Sequence, residues 1–180
     1  MEAGQLGDLG DELRRAIRDI PDFPKPGIVF KDITPVLLDA ALFHRTTDAM
    51  AAPFAGDRIT HVIGIESRGF ILGAPVAQHL AAAFVPVRKP GKLPHTVERV
   101  QYALEYGTDA LEMHRDALSS GDRALIVDDV LATGGTARAT CELIERTGAR
   151  VVGCSFLMAL TFLPGVASLA SRRIASLLTY

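Results

Sequence analysis

The stretch ALIVDDVLATGGT, Ala124 to Thr136, decides how this 180-residue chain is read. Its opening run, Ala124 to Val127, is apolar and has the pattern of a buried strand in a parallel sheet. Two adjacent carboxylates follow, Asp128 and Asp129. Then come the small residues Ala132, Thr133, Gly134, Gly135 and Thr136, and the helical pattern ARATCELIER. Loop amides and hydroxyls at a helix N-terminus bind a phosphate, and glycines let the backbone approach it closely. The acids would repel that phosphate. They suit neighbouring hydroxyls such as a ribose 2′,3′-diol, to which charged acceptors make hydrogen bonds of roughly 1.5–3 kcal/mol each. The stretch therefore reads as a cradle for ribose 5-phosphate. An ordinary strand-to-helix turn explains the glycines but not two consecutive acids upstream of Thr-Gly-Gly-Thr. Neither G-x-G-x-x-G nor G-x-x-x-x-G-K-[ST] occurs.

Working outward, the chain alternates strands and helices, which argues a parallel α/β sheet. Downstream, the helix after the loop stops at Gly148, Val151 to Leu160 reads as a strand, and Ile174 to Tyr180 as a last one. Upstream, His61 to Ile65 and Phe84 to Val87 are strands, with a helical segment from Ile71 to Ala83 between them. Arg68 follows the first of these strands in Glu66-Ser67-Arg68-Gly69, at the strand end where parallel α/β sheets bind ligands. Its fork suits phosphate oxygens; a surface salt bridge is the other reading. Residues 88–112 carry Arg88, Lys89, Lys92 and Arg99 and begin without periodicity. They read either as a lid or as a solvated basic loop, with a possible strand from Tyr102 to Leu111. Residues 21–35 hold four prolines and read as an extended segment, either across a pocket mouth or as a plain connection. Residues 1–10 read as loose, and a helix is predicted from Asp11 to Pro21 on the spacing of Leu13, Ala16, Ile17 and Ile20.

Length fits one domain. Apolar content of 48% and charged content of 22% are ordinary, and a net charge of -2 gives no basic excess to attract nucleic acid. No apolar run approaches the ~18 residues of a membrane span, and the acidic N-terminus lacks the apolar core of a secretory signal. Cys141 and Cys154 read as buried free thiols, which makes the cytoplasm the default location.

The central stretch resembles the phosphoribosyl-pyrophosphate motif of the type I phosphoribosyltransferases. Three further segments, PDFPKPGIVFKDITPVL at 21–37, GIESRGFILG at 64–73 and RKPGKLPHTVERVQYALEYGTDALEMH at 88–114, resemble the adenine branch of that family. The resemblance runs from about Leu13 to Tyr180. It implies a single domain: a parallel sheet flanked by helices, with a small N-terminal hood and a flexible lid. It implies transfer of the 5-phosphoribosyl group of phosphoribosyl pyrophosphate to adenine, giving AMP and pyrophosphate.

The resemblance also assigns roles. Asp128 and Asp129 hold the ribose hydroxyls, and Ala132, Thr133, Gly134, Gly135 and Thr136 hold the 5′-phosphate. Ser67, Arg68, Arg88, Lys89 and Lys92 hold the pyrophosphate. Val29, Phe30 and Lys31 receive the base. Glu105 is the acid/base group, with Tyr106 beside it, and Arg68 stabilises the leaving group. Mg²⁺ is held chiefly by substrate oxygens and water, with no protein metal ligand, and the protein is a homodimer. Lys31 stands where many members carry Arg, and Pro90 where some carry a basic residue. A 6-oxopurine, xanthine or orotate transferase is the enzymatic alternative. A non-catalytic phosphoribosyl-pyrophosphate sensor would need a DNA-binding module that ten residues before the first helix do not supply.

Overall fold

A computed structural model describes residues 3–103 and 108–180, with side chains from residue 8 onward except that of Ala103. The chain divides into two compact units, Met1–Ala49 and Met50–Tyr180.

The first unit opens with helix α1, Ala3–Ala16, followed by the antiparallel pair β1, Arg18–Pro21, and β2, Val29–Asp32. Helix α2, Thr34–Leu38, ends at Asp39, whose carboxylate accepts the Ala41 and Leu42 amides at 3.0 Å and so starts α3, Ala40–Ala51. The first helix begins well before the Asp11 start read from the sequence, and Ile20 lies in β1. Three glycines in residues 3–10 argue against a helix there, each costing about 1 kcal/mol relative to Ala. Burial of Leu9 and Leu13, one turn apart, outweighs them.

The second unit is built on five parallel strands: β3 His61–Ile65, β4 Ala83–Val87, β7 Arg123–Leu131, β8 Arg150–Ala159 and β9 Ile174–Thr179. Their order is β4-β3-β7-β8-β9. Helix α4, Arg68–His79, joins β3 to β4 and packs on β3, β4 and β7. Helix α5, Gly135–Arg146, joins β7 to β8, and the short α6, Gly165–Ser168, precedes β9. The middle strands are apolar on both faces because helices cover both: Leu125, Ile126 and Val127 in β7 are fully buried. Cys141 and Cys154 are free and buried, as read from the sequence.

The two middle strands run in one direction but their continuations diverge. From β3 the chain moves outward to β4; from β7 it moves the other way to β8 and β9. The crevice beyond the C-terminal ends of β3 and β7 is therefore the switch point at which such sheets bind ligands.

The basic segment is more ordered than its sequence suggests. β5, Val97–Ala103, and β6, Thr108–His114, form an antiparallel hairpin in register from Val97↔His114 to Ala103↔Thr108. Val100, Tyr102, Leu111 and Met113 are buried, and the hairpin packs on α5. Period-two burial around Val100 and Tyr102, which the surrounding charges obscure in the sequence, is what makes these residues strands.

Ile126→Ala, at the centre of β7, is expected to lower unfolding free energy by about 2–5 kcal/mol and Ile126→Val by about 0.5–1.5 kcal/mol, read from urea midpoints at constant slope.

Candidate active site

A cavity of about 310 Å³ lies at the switch point. Its wall is made by Glu66, Ser67 and Arg68 after β3, by Asp128 to Gly134 with Thr136 and Ala137, and by Lys89, Leu111 and Phe156. The separate sequence segments expected to meet the ribose, the 5′-phosphate and the pyrophosphate thus share one wall.

The acidic pair lies inside β7 rather than beyond its end, because β7 keeps its pairing with β8 as far as Leu131↔Ala159. Both acids line the cavity, but they have different partners. Asp129 is buried and accepts a hydrogen bond from Arg68 Nε. Asp128 lines the cavity as well, and its Oδ1 accepts the Asp129 amide at 2.9 Å. Burial and the neighbouring Asp129 charge push the Asp128 carboxyl well above its ordinary range.

Arg68 is the first residue of α4, after the cis Glu66–Ser67 peptide. Helix and strand are close here: a Cβ added at Gly69 would lie 2.8 Å from the Val127 carbonyl O and 3.0 Å from Asp128 Oδ1. Only glycine lets the start of α4 sit this close to the acidic pair.

The loop after β7 ends at Gly134, the N-cap of α5, with φ +81° and no side chain capping the helix. Gly135 and Thr136, expected in the loop, are already the first helical residues. The first-turn amides of a twelve-residue helix are therefore uncapped, with Gly134, Thr136 and Ala137 on the cavity wall. This is the arrangement that takes a phosphate.

Three cations expected to meet pyrophosphate each hold a carboxylate of the protein. Arg68 holds Asp129, Arg88 Nε donates to Glu66 at 3.1 Å, and Lys89 Nζ donates to Asp109 and, at 3.3 Å, to the Tyr102 hydroxyl. Burial would lift Glu66, but the Lys89 amide and the Arg88 guanidinium hold its carboxyl below the usual range. Burial would lower Lys89, but its bonds to Asp109 and Tyr102 hold it above the usual lysine range. Lys89 lines the cavity; Arg88 and Lys92 are not on its wall, and the Lys92 carbonyl accepts Arg88 Nη1 at 3.3 Å. Glu66, Asp109 and Tyr102 are functional neighbours that the sequence reading passed over. Glu66 stands in the GIESRG segment and was findable there. Asp109 reaches Lys89 only through pairing of the hairpin, which leaves no local signal.

Val29, Phe30 and Lys31 lie together in β2. Ile28 O accepts the Phe23 amide on the β1 side at 3.2 Å, and Pro21, opposite Val29, has no N–H to donate. Alternation along the strand turns the Val29 carbonyl and the Lys31 amide to the side away from β1. Phe30 stacks edge-on with Phe23, centroids 5.2 Å apart, and Lys31 Nζ pairs with Asp19 at 2.6 Å. Glu105 and Tyr106 lie outside the described residues. Among the described residues no group of three or more His, Cys, Asp or Glu could hold a metal, and no helix is long and apolar enough to cross a membrane.

The sheet and cradle define a class, and residues 42–161 match its family model, the phosphoribosyl transferase domain. A Myxococcus xanthus protein named adenine phosphoribosyltransferase is 59% identical over 94% of this chain and 92% of its own length. The crystal structure of adenine phosphoribosyltransferase from Rhodothermus marinus superposes with a TM-score of 0.92 at 54% identity, covering 97% of this chain and 99% of that one. The Saccharomyces cerevisiae enzyme, crystallised with adenine and an imino-altritol bisphosphate, gives a TM-score of 0.90 at 38% identity over 95% of this chain and 99% of that one. The chain belongs to the adenine phosphoribosyltransferases of the phosphoribosyltransferase family.

The Asp128 environment has a measurable consequence. A carboxyl raised in the folded state stabilises fully below its unfolded value, roughly 3.9, and loses that contribution as pH rises through the folded value. Asp128→Asn keeps an acceptor for the Asp129 amide and removes the buried charge. The variant is expected to be more stable than the native protein at pH 8, by a margin that shrinks as pH falls toward 4, in urea unfolding across that range.

Proposed function

We propose that the chain transfers the 5-phosphoribosyl group of phosphoribosyl pyrophosphate to adenine, releasing AMP and pyrophosphate in purine salvage. The observation that carries this is the convergence of Asp128, Asp129 and the uncapped start of α5 on one cavity. Acceptors for a diol and a seat for a phosphate on one wall describe ribose 5-phosphate.

The site acts as follows. Asp128 and Asp129 accept from the ribose hydroxyls, and Ala132 to Thr136 bind the 5′-phosphate through main-chain amides and threonine hydroxyls. Ser67 and Arg68 bind pyrophosphate, with Arg88, Lys89 and Lys92 contributing from the segment at 88–112. As the bond to pyrophosphate breaks, positive charge builds on the sugar and negative charge on the leaving group, which these cations stabilise. Substrate exchanges the internal ion pairs for its own: the diol draws Asp129 from Arg68, and the pyrophosphate takes the released guanidinium.

Mg²⁺ fits this site. It would be held chiefly by pyrophosphate and ribose hydroxyl oxygens and by water, with Asp128 and Asp129 on the same wall placed to hold those hydroxyls. When bound, it neutralises charge on the pyrophosphate.

Val29, Phe30 and Lys31 read the base. The Val29 carbonyl accepts from the adenine 6-amine, the Lys31 amide donates to N1, and Phe30 packs on the ring. Hypoxanthine reverses both groups, and each mismatch costs about 1–3 kcal/mol. Main-chain groups do the reading, so lysine at position 31 leaves the choice of base unchanged. Glu105 assists proton movement as N9 attacks. The whole chain works as one phosphoribosyltransferase domain, closed by a lid in the part of the predicted segment that precedes β5, as a homodimer in the cytoplasm; the family resemblance supports these last features.

Adenine is expected to exceed hypoxanthine and guanine in kcat/KM by at least about 10²-fold, the scale set by two mismatched hydrogen bonds. Comparable values for adenine and hypoxanthine would remove the base-reading role of β2. Asp129→Asn is expected to weaken phosphoribosyl-pyrophosphate binding in calorimetry while the far-ultraviolet dichroism is retained. Glu105→Gln is expected to lower kcat more than it weakens that binding.

A further inference from the structure

At the end of the sheet opposite the cradle, a second cavity, of about 650 Å³, opens where β7, β8 and β9 begin. Its wall carries four arginines, Arg123, Arg150, Arg172 and Arg173, and two carboxylates, Asp57 and Glu145. Both carboxylates are engaged, Glu145 with Arg172 at 2.6 Å and Asp57 with Arg173 at 2.6 Å. The parallel register sets Arg123 directly beside Arg150 on the neighbouring strand. Like charges so placed weaken a sheet unless something neutralises them. Among the described residues the Arg123 side chain donates only through Nε, to the Asp57 carbonyl at 2.8 Å, and the Arg150 side chain has no partner.

We propose that this cavity binds a small polyphosphate anion, free or carried on a nucleoside, at a site separate from the phosphoribosyl cradle. Arg123 and Arg150 leave neighbouring strands at paired positions, where backbones stand roughly 4.8 Å apart, so their two forks can converge on adjacent phosphates, each taking two oxygens. The anion supplies the counter-charge that the protein leaves out between Arg123 and Arg150. Strand β7 joins the two sites, with Arg123 in this cavity and Leu131 in the other.

The test is titration of ¹⁵N-labelled protein with tripolyphosphate and, separately, with ATP. Amides at 149–152 and 171–173 report this cavity, and amides at 132–136 report the cradle. Saturable shifts in the first set that weaken as salt is added are the expected result. Tighter binding of ATP assigns a share of recognition to the nucleoside; equal binding assigns it all to the phosphates. Arg150→Gln disturbs no internal bond and is expected to weaken binding about tenfold, with kcat/KM for adenine unchanged. Absence of saturable shifts at 149–152 and 171–173 with either anion overturns the proposal. So does an affinity unchanged in both Arg150→Gln and Arg150→Glu.

Discussion

Parallel pairing of β3 with β7 is the constraint on which the rest of the second unit depends. It sets side by side two strands whose continuations leave in opposite directions, so neither connection closes over the crevice at their ends. Most of the polar wall of the cavity is hung from those two ends, with Lys89 added from the end of β4. Glu66, Ser67 and Arg68 come from one, the acidic pair and the glycine loop from the other. The Arg68–Asp129 pair spans the crevice and ties the start of α4 to β7. Gly69 sets how near the helix can come, because its backbone packs against Val127 and Asp128.

Much of this was legible in the chain because the residues are neighbours in sequence. A buried run, two acids, small residues and the start of a helix stand within thirteen positions, and local pattern finds the strand, loop and helix in that order while misplacing their boundaries. The parallel sheet follows from the alternation of such units. Other features come from pairing at a distance and have no local trace. The continuation of β7 through both acids depends on β8. The hairpin β5–β6 depends on burial of one face against α5. The early start of α1 depends on the burial of Leu9 and Leu13, against the propensity of its glycines. Glu66 is different: its position in GIESRG was visible, but its task, holding Arg88 and the Lys89 amide, appears only once β4 lies beside β3.

The acidic pair shows how a strand makes two like groups unlike. Asp129 is buried with a guanidinium, while Asp128 faces the cavity, deep in the protein and beside a second negative charge. Both line the cavity: Asp129 is held by Arg68, and Asp128 accepts the Asp129 amide beside a second negative charge.

The self-paired cations have a consequence for selectivity among anions. Arg68, Arg88 and Lys89 each already hold a carboxylate of the protein. A solitary inorganic phosphate gains little by displacing one of them, since it replaces one ion pair with another and strands a carboxylate. A ligand that brings hydroxyls for the carboxylate as well as oxygens for the cation leaves no group stranded. A ligand that carries replacements for both halves of the Arg68–Asp129 pair therefore displaces it at less cost than one that carries a phosphate alone.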